Sequence, residues 1–165
     1  MKFVDPLHDA WSNAADHRLF SLEEWLAQHD DATSIDDGAR QVLGVALTND
    51  QDVEALQPHL DRIALVVLQF PKWTDGRAYS QARLLRTRLR FAGEIRAAGE
   101  VLVDMLPLLQ RTGFDAVELR ADQSLESAQR ALRFFAGHYQ GDTVEPQPLF
   151  GRRDAVSAGI PNVSH

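Results

Sequence analysis

Two uninterrupted apolar runs, Val42–Leu47 and Ile63–Leu68, stand out from a chain whose apolar positions are otherwise spaced. A run with no polar alternation suits a strand covered on both faces, as in a parallel sheet. Thr48-Asn49-Asp50 ends the first run, and Asp52 to Leu60 forms a short helix with Val53, Leu56 and Leu60 on one face. Pro71 to Gly76 is a loop. Arg77 to Phe91 lacks Gly and Pro and is strongly helical, with Ala78, Ala82, Leu85 and Leu89 inward. Glu94–Ala97 is the expected third strand. Val101 to Arg111 follows as a helix, with Leu102, Met105, Leu106 and Leu109 inward. Pro107 breaks that helix unless it sits near its start, and Gly113 stops it. Asp115–Leu119 is the fourth strand. Ser124 then caps a helix through about Phe135, with Leu125, Ala128, Leu132 and Phe135 as its stripe.

This order implies an α/β fold of about four consecutive β–α units around a parallel sheet. Two architectures fit: an open doubly wound sheet, or a half (β/α)-barrel. The core is expected over residues 41–138. Residues 1–40 form an N-terminal extension, in which Ser21 to Leu26 starts a helix with Ser21 as N-cap and Glu24 completing a capping box. Residues 139–165 form a C-terminal tail. Its last 26 residues hold three prolines and three glycines without periodicity, so it is expected to be mobile.

Composition narrows the picture. The chain has 165 residues, 44% of them hydrophobic, which suits one domain with a real core. No apolar run approaches the roughly 20 residues that span a bilayer. The start, MKFVDPLHDAW, does not resemble a secretory signal, so a cytoplasmic protein with no membrane role is expected. There is no cysteine, which excludes disulfides, thiol redox chemistry and cysteine-ligated iron–sulfur clusters. The net charge of −7 argues against nucleic-acid binding. Residues 1–61 carry 13 acids and 3 bases, whereas residues 62–100 carry 8 bases and 3 acids. The middle segment is the zone suited to meet an anion.

The most informative stretch, Phe70 to Arg86, follows a strand and opens a helix. Ligand sites in parallel α/β proteins lie at such strand ends, and a helix start favours anions. Asp75 is placed to position the loop or cap the helix. Tyr79, Arg83, Arg86 and Arg90 recur at helical spacing and form one stripe. With Arg77 they are candidates for holding a phosphate, a sulfate-like anion or a carboxylate, or for meeting a partner. A solvated arginine face is the competing reading. Glu94 and Arg96 share one face of their strand and either pair with each other or join the site. Asp50, Glu100 and Asp122 each follow a strand, but no metal site is expected. The six histidines form no HxH, HxxH or HExxH pair. GxGxxG, GxxxxGK[ST] and GxSxG are absent, so no cofactor is expected and the purified protein should be colourless.

The run Asp75 to Arg86, then Gly93 to Asp104, then Arg111-Thr112-Gly113-Phe114-Asp115, resembles the bacterial family catalogued as domain of unknown function 934. The resemblance covers about residues 40–138. Members of that family are often encoded beside the haem-dependent sulfite reductase and are commonly labelled as oxidoreductases of sulfite reduction. The resemblance therefore implies a role in assimilatory sulfate reduction and cysteine supply, with sulfite reductase or another sulfur-assimilation protein as partner. It carries no reaction with it. The expectations are an accessory factor for the reductase or, alternatively, a small-molecule enzyme or sensor. The latter would bind an anionic sulfur or nucleotide metabolite at Asp75–Arg86.

Overall fold

Six strands form a single parallel sheet in the computed structural model, which describes residues 1–9, 11, 15–29 and 42–134. In chain order the elements are β1 (Lys2–Phe3), β2 (His17–Ser21), α1 (Leu22–His29), β3 (Val42–Leu47), a 3-10 helix (Val53–His59), β4 (Ile63–Phe70), α2 (Arg77–Thr87), β5 (Glu94–Gly99), a short 3-10 turn (Val103–Met105), α3 (Leu106–Thr112), β6 (Ala116–Val117) and α4 (Leu125–Phe134). The four expected strands are β3 to β6, and β5 runs on to Gly99. Two further strands come from residues 1–21. Both are short, and β2 mixes Arg18 and Ser21 with its apolar residues, so neither has the unbroken apolar signature of a central strand. The expected tail at 139–165 lies outside the described residues.

The strand order is β1-β6-β5-β4-β3-β2. From β2 to β6 each strand lies beside its predecessor, with no reversal and hence no switch point. The helices α1 to α4 and the 3-10 helix pack on one face: Leu22 and Trp25, Val53 and Leu56, Ala82 and Leu85, Leu106 and Leu109, and Ala128 join one core with Val45, Leu47, Val66, Leu68, Phe70, Ile95, Ala97 and Val117. The sheet is therefore the expected parallel α/β one, unclosed, with β1 and β2 at its two edges. Alternate residues of the central strands, Leu65, Val67 and Ala98, form a smaller cluster on the other face with Trp11 and Ala46.

Local chemistry sets the boundaries. Ser21 and Glu24 make the expected capping box: Glu24 N–H donates to Ser21 Oγ at 3.2 Å, and Ser21 N–H to Glu24 Oε2 at 2.8 Å. Pro107 falls in the first turn of α3, where its missing N–H costs nothing, so the expected Val101–Arg111 helix becomes a 3-10 turn followed by α3. The helix expected over Arg77–Phe91 stops at Thr87, and Arg90 adopts φ 55°. Asp52 to Leu60 is a 3-10 helix, with Asp52 as N-cap and Pro58 inside it. No helix among the described residues is long and apolar enough to cross a membrane.

Candidate functional site

In a β–α unit the helix starts where its strand ends and runs back. Arg77 and Arg86, nine residues apart on α2, are thus separated by about 13 Å at 1.5 Å per residue. The sequence stripe spans both ends of the sheet, and the two ends do different things.

At the strand-end side, Asp75 holds Arg77. Arg77 Nε donates to Asp75 Oδ1 at 3.1 Å and Nη2 to Oδ2 at 2.8 Å, while the Arg77 backbone N–H reaches Oδ1 at 3.2 Å. These side-chain and backbone hydrogen bonds hold the Asp75 carboxyl down at about 2. Asp75 thus organises the helix entrance from just outside it, since the N-cap itself is Gly76. Arg77 remains 57% exposed in its side chain. The preceding loop residues Pro71, Lys72, Trp73 and Thr74 are all exposed, with Trp73 at 57%. Arg83 is exposed further along α2 and forms no ion pair among the described residues. Tyr79 turns inward, edge-on to Phe70 at 5.2 Å between ring centroids, and burial pushes its phenol above the usual range.

Two residues that sequence reasoning missed lie beneath this edge. Gln81 is buried and its Nε2 donates to the carbonyls of Thr48 at 2.9 Å and Gln51 at 2.8 Å, tying α2 to the end of β3. A polar residue at a core-facing helical position, three after Ala78, was the available signal. Asn49 is buried beside Asp75, with its Nδ2 lacking a well-formed hydrogen bond.

The other end of α2 is a structural corner. Arg86 Nε donates to Gly113 O at 2.9 Å, and Nη1 donates to Phe91 O at 2.6 Å and Gly93 O at 2.9 Å. Its Nη2 pairs with Asp115, whose same oxygen accepts the Ile95 N–H at 2.8 Å. The guanidinium therefore satisfies carbonyls after α2, before β5 and at the end of α3, leaving it 17% exposed. Gly113, at φ 105°, passes so close that a Cβ there would lie 2.5 Å from Arg86 Cγ.

Glu94 and Arg96 lie on the opposite face of the sheet from α2. Arg96 Nη2 meets Glu94 Oε1 at 2.8 Å, and Arg96 Nη1 meets Asp9 Oδ2 at 2.5 Å. Lys2 Nζ lies 3.6 Å from Glu94 Oε2. Of the expected pair and site contribution, the pair is formed. The structure thus separates the candidates: Asp75 and Arg77 at the strand-end side, with Tyr79 and Arg83 further along α2; Arg86 at the far corner, with Arg90 beyond the helix; and Glu94 and Arg96 across the sheet.

Two of the three strand-following acids cluster around another residue not singled out from sequence. Arg120 Nη1 donates to Glu100 Oε2 at 2.7 Å, and its Nε and Nη2 grip Asp122 at 2.6 and 2.7 Å. The Arg120 hydrogen bonds hold the Asp122 carboxyl at about 2, and both acids in turn raise the Arg120 pKa. Asp50 instead accepts from Thr48 Oγ1 at 2.5 Å.

A comparison with the curated proteins finds no match. The family model described as "Bacterial protein of unknown function (DUF934)" matches residues 44–150, which hold most of β3, all of β4 to β6, both ends of α2 and the Arg120 cluster. The chain belongs to this family.

Proposed function

We propose that this protein is an accessory factor of assimilatory sulfite reduction that docks on sulfite reductase through the strand-end edge carrying Trp73 and Arg77. The pathway rests on the resemblance and the gene neighbourhood of its family. The docking mode rests on one observation: Trp73, a large aromatic, stands 57% exposed in a loop whose first four residues, Pro71 to Thr74, are all exposed. Tryptophan and arginine are among the side chains that most often anchor interfaces, tryptophan because it buries a large area at low entropic cost. Exposed Lys72, adjacent to Trp73 in the loop, adds positive charge there, which suits an acidic partner surface.

The alternative, an anionic metabolite held by the arginine stripe, has less support. Arg86 is consumed by three carbonyls and Asp115, and Arg77 is gripped by Asp75. The test is co-purification with the reductase from the native cell, with wild type and with Trp73→Ala. Capture by wild type and its loss in a folded Trp73→Ala supports the reading. No capture by wild type, together with normal growth of a deletion strain on sulfite, rejects it.

A further inference from the structure

Each of the strands β2 to β6 is followed by a helix or a 3-10 helix, but β1 is not: residues 4–9 form no helix. The edge made by β1 and β6 therefore has one covering helix, α4, for two strands. A cleft of about 520 Å³ is left between the C-terminal ends of these strands and the start of α4. Its apolar walls are Phe3, Val4, Leu7, Val117, Leu119 and Leu125. Leu7 is 77% exposed and Leu125 50%, two of the five large apolar side chains that the described residues leave exposed. Exposed apolar side chains gathered on one concave surface mark a contact that is not yet made. The volume lies within the range of about 300–1,000 Å³ usual for small-molecule sites, and the carboxyl ends of parallel strands are where α/β folds bind ligands.

The polar groups on the walls offer donors. Arg120 and Gln123 both line the cleft. Arg120 gives one N–H each from Nε, Nη1 and Nη2 to Glu100 and Asp122, so two of its five N–H groups have no carboxylate partner among the described residues. Gln123 Oε1 is occupied by the Val103 N–H at 3.0 Å, and one Nε2 hydrogen goes to Asp122 at 3.2 Å, which leaves the other. These bonds also fix the two side chains from three separate loops, so the spare donors are held in place. Charge then decides which acceptor suits them. Glu100 and Asp122 together outweigh the single guanidinium they hold. Asp5, which binds the Leu7 N–H and His8, adds a further carboxylate to the walls. An anionic ligand would meet an excess of like charge, whereas a neutral carbonyl oxygen accepts the spare N–H groups without that cost.

We infer that the cleft between the β1–β6 edge and α4 is a binding site for an uncharged carbonyl compound with a compact apolar ring, its oxygen accepting from Arg120 and Gln123 and its ring lying between Leu7 and Leu125. The site goes beyond the docking function: it lies two strands from β4, whose loop carries Trp73, and its test does not involve sulfite reductase.

The experiment titrates the full chain with acetophenone and follows the backbone amide spectrum by NMR. Sodium benzoate, the anion of like size, and ethylbenzene, which lacks the acceptor, are the comparison probes. Acetophenone is expected to give saturable shifts confined to residues 3–7 and 117–125. Benzoate and ethylbenzene should each bind at least about tenfold more weakly, the first through charge and the second through the lost hydrogen bond. Leu125→Trp, at an exposed position, should fill the cleft and weaken acetophenone at least about tenfold without unfolding the chain. Arg120→Met should bring acetophenone down to the level of ethylbenzene and leave ethylbenzene unchanged. If Arg120→Met fails to fold, the order of the three probes in wild type and in Leu125→Trp decides. No saturable shift, benzoate binding as tightly as acetophenone, or full affinity in Leu125→Trp overturns the inference. So does a fall in hydrodynamic size on adding acetophenone, which makes the cleft a contact between copies. Shifts at residues 135–165 overturn it too, since the cleft is then filled by the chain itself.

Discussion

The two ends of α2 carry arginines of similar sequence context and opposite fate. Arg86, at the end nearest Gly93 and Asp115, has its donors taken by three carbonyls and a carboxylate, and a glycine at φ 105° clears the space for its stem. Arg77, at the strand-end side, is held by one local carboxylate and stays 57% exposed, next to an exposed indole. The difference is one of partner geometry. At the Arg86 corner, chain segments that end in unpaired backbone carbonyls converge, and a planar five-donor group satisfies them together. At the Arg77 edge the chain has only a loop, so the arginine keeps a single carboxylate partner and stays exposed.

The strongest way to break this comparison is to remove the corner. Arg86→Ala leaves buried carbonyls without donors and Asp115 without its cation, and is expected to cost about 3 kcal/mol of stability. The check is the urea midpoint by circular dichroism. A variant within about 0.5 kcal/mol of wild type would place Arg86 among ordinary surface residues. Gly113→Ala attacks the same corner from the other side. It forces a side chain into a left-handed backbone position and against Arg86 Cγ, with an expected cost of about 1–3 kcal/mol. Because both substitutions disturb one contact set, the double variant should lose less than the sum of the two.

How much of this was legible beforehand varied with how local each signal is. The apolar runs of β3 and β4 announce buried strands, and Ser21 with Glu24 announces a helix start, because in each case a few adjacent residues carry the physics. The strand β1 is two residues long and takes its identity from pairing with β6, Lys2 with Ala116 and Phe3 with Val117, which no local pattern encodes. The stripe Tyr79, Arg83, Arg86 and Arg90 illustrates the limit for sites. Helical spacing places Tyr79, Arg83 and Arg86 on one helix, but the end of α2 at Thr87 removes Arg90. The depth of each residue depends on what arrives from elsewhere: Phe114 for Tyr79, Asp115 for Arg86 and solvent for Arg83. Likewise the partner of Arg96 is Asp9, 87 residues away, and the alternation that placed Glu94 beside Arg96 could not reveal it.

A smaller effect sharpens the exposed end. Asp75 and Asp122 are each held at about 2 rather than 3.8, by hydrogen bonds from Arg77 and Arg120 respectively. A carboxyl depressed on folding gives a stabilising contribution that is complete above its unfolded value and is lost as pH falls towards its folded one. Stability should therefore decline between about pH 4 and pH 2, and Asp75→Asn should shallow that decline by starting below wild type at pH 7 and converging with it as pH falls towards 2. Urea midpoints measured at pH 7, 4 and 3 for both proteins test this. An identical acid slope in the variant removes Asp75 as a contributor.

The central claim is that the exposed end of α2 meets a partner while the far end only holds the fold. The most direct measurement is the affinity of immobilised wild type and Trp73→Ala for purified sulfite reductase, taken alongside the melting temperature of each. The account predicts unchanged melting, within about 2 °C for a surface substitution, and at least about tenfold weaker binding, as expected for a lost aromatic anchor. Equal binding by a stably folded Trp73→Ala would contradict it.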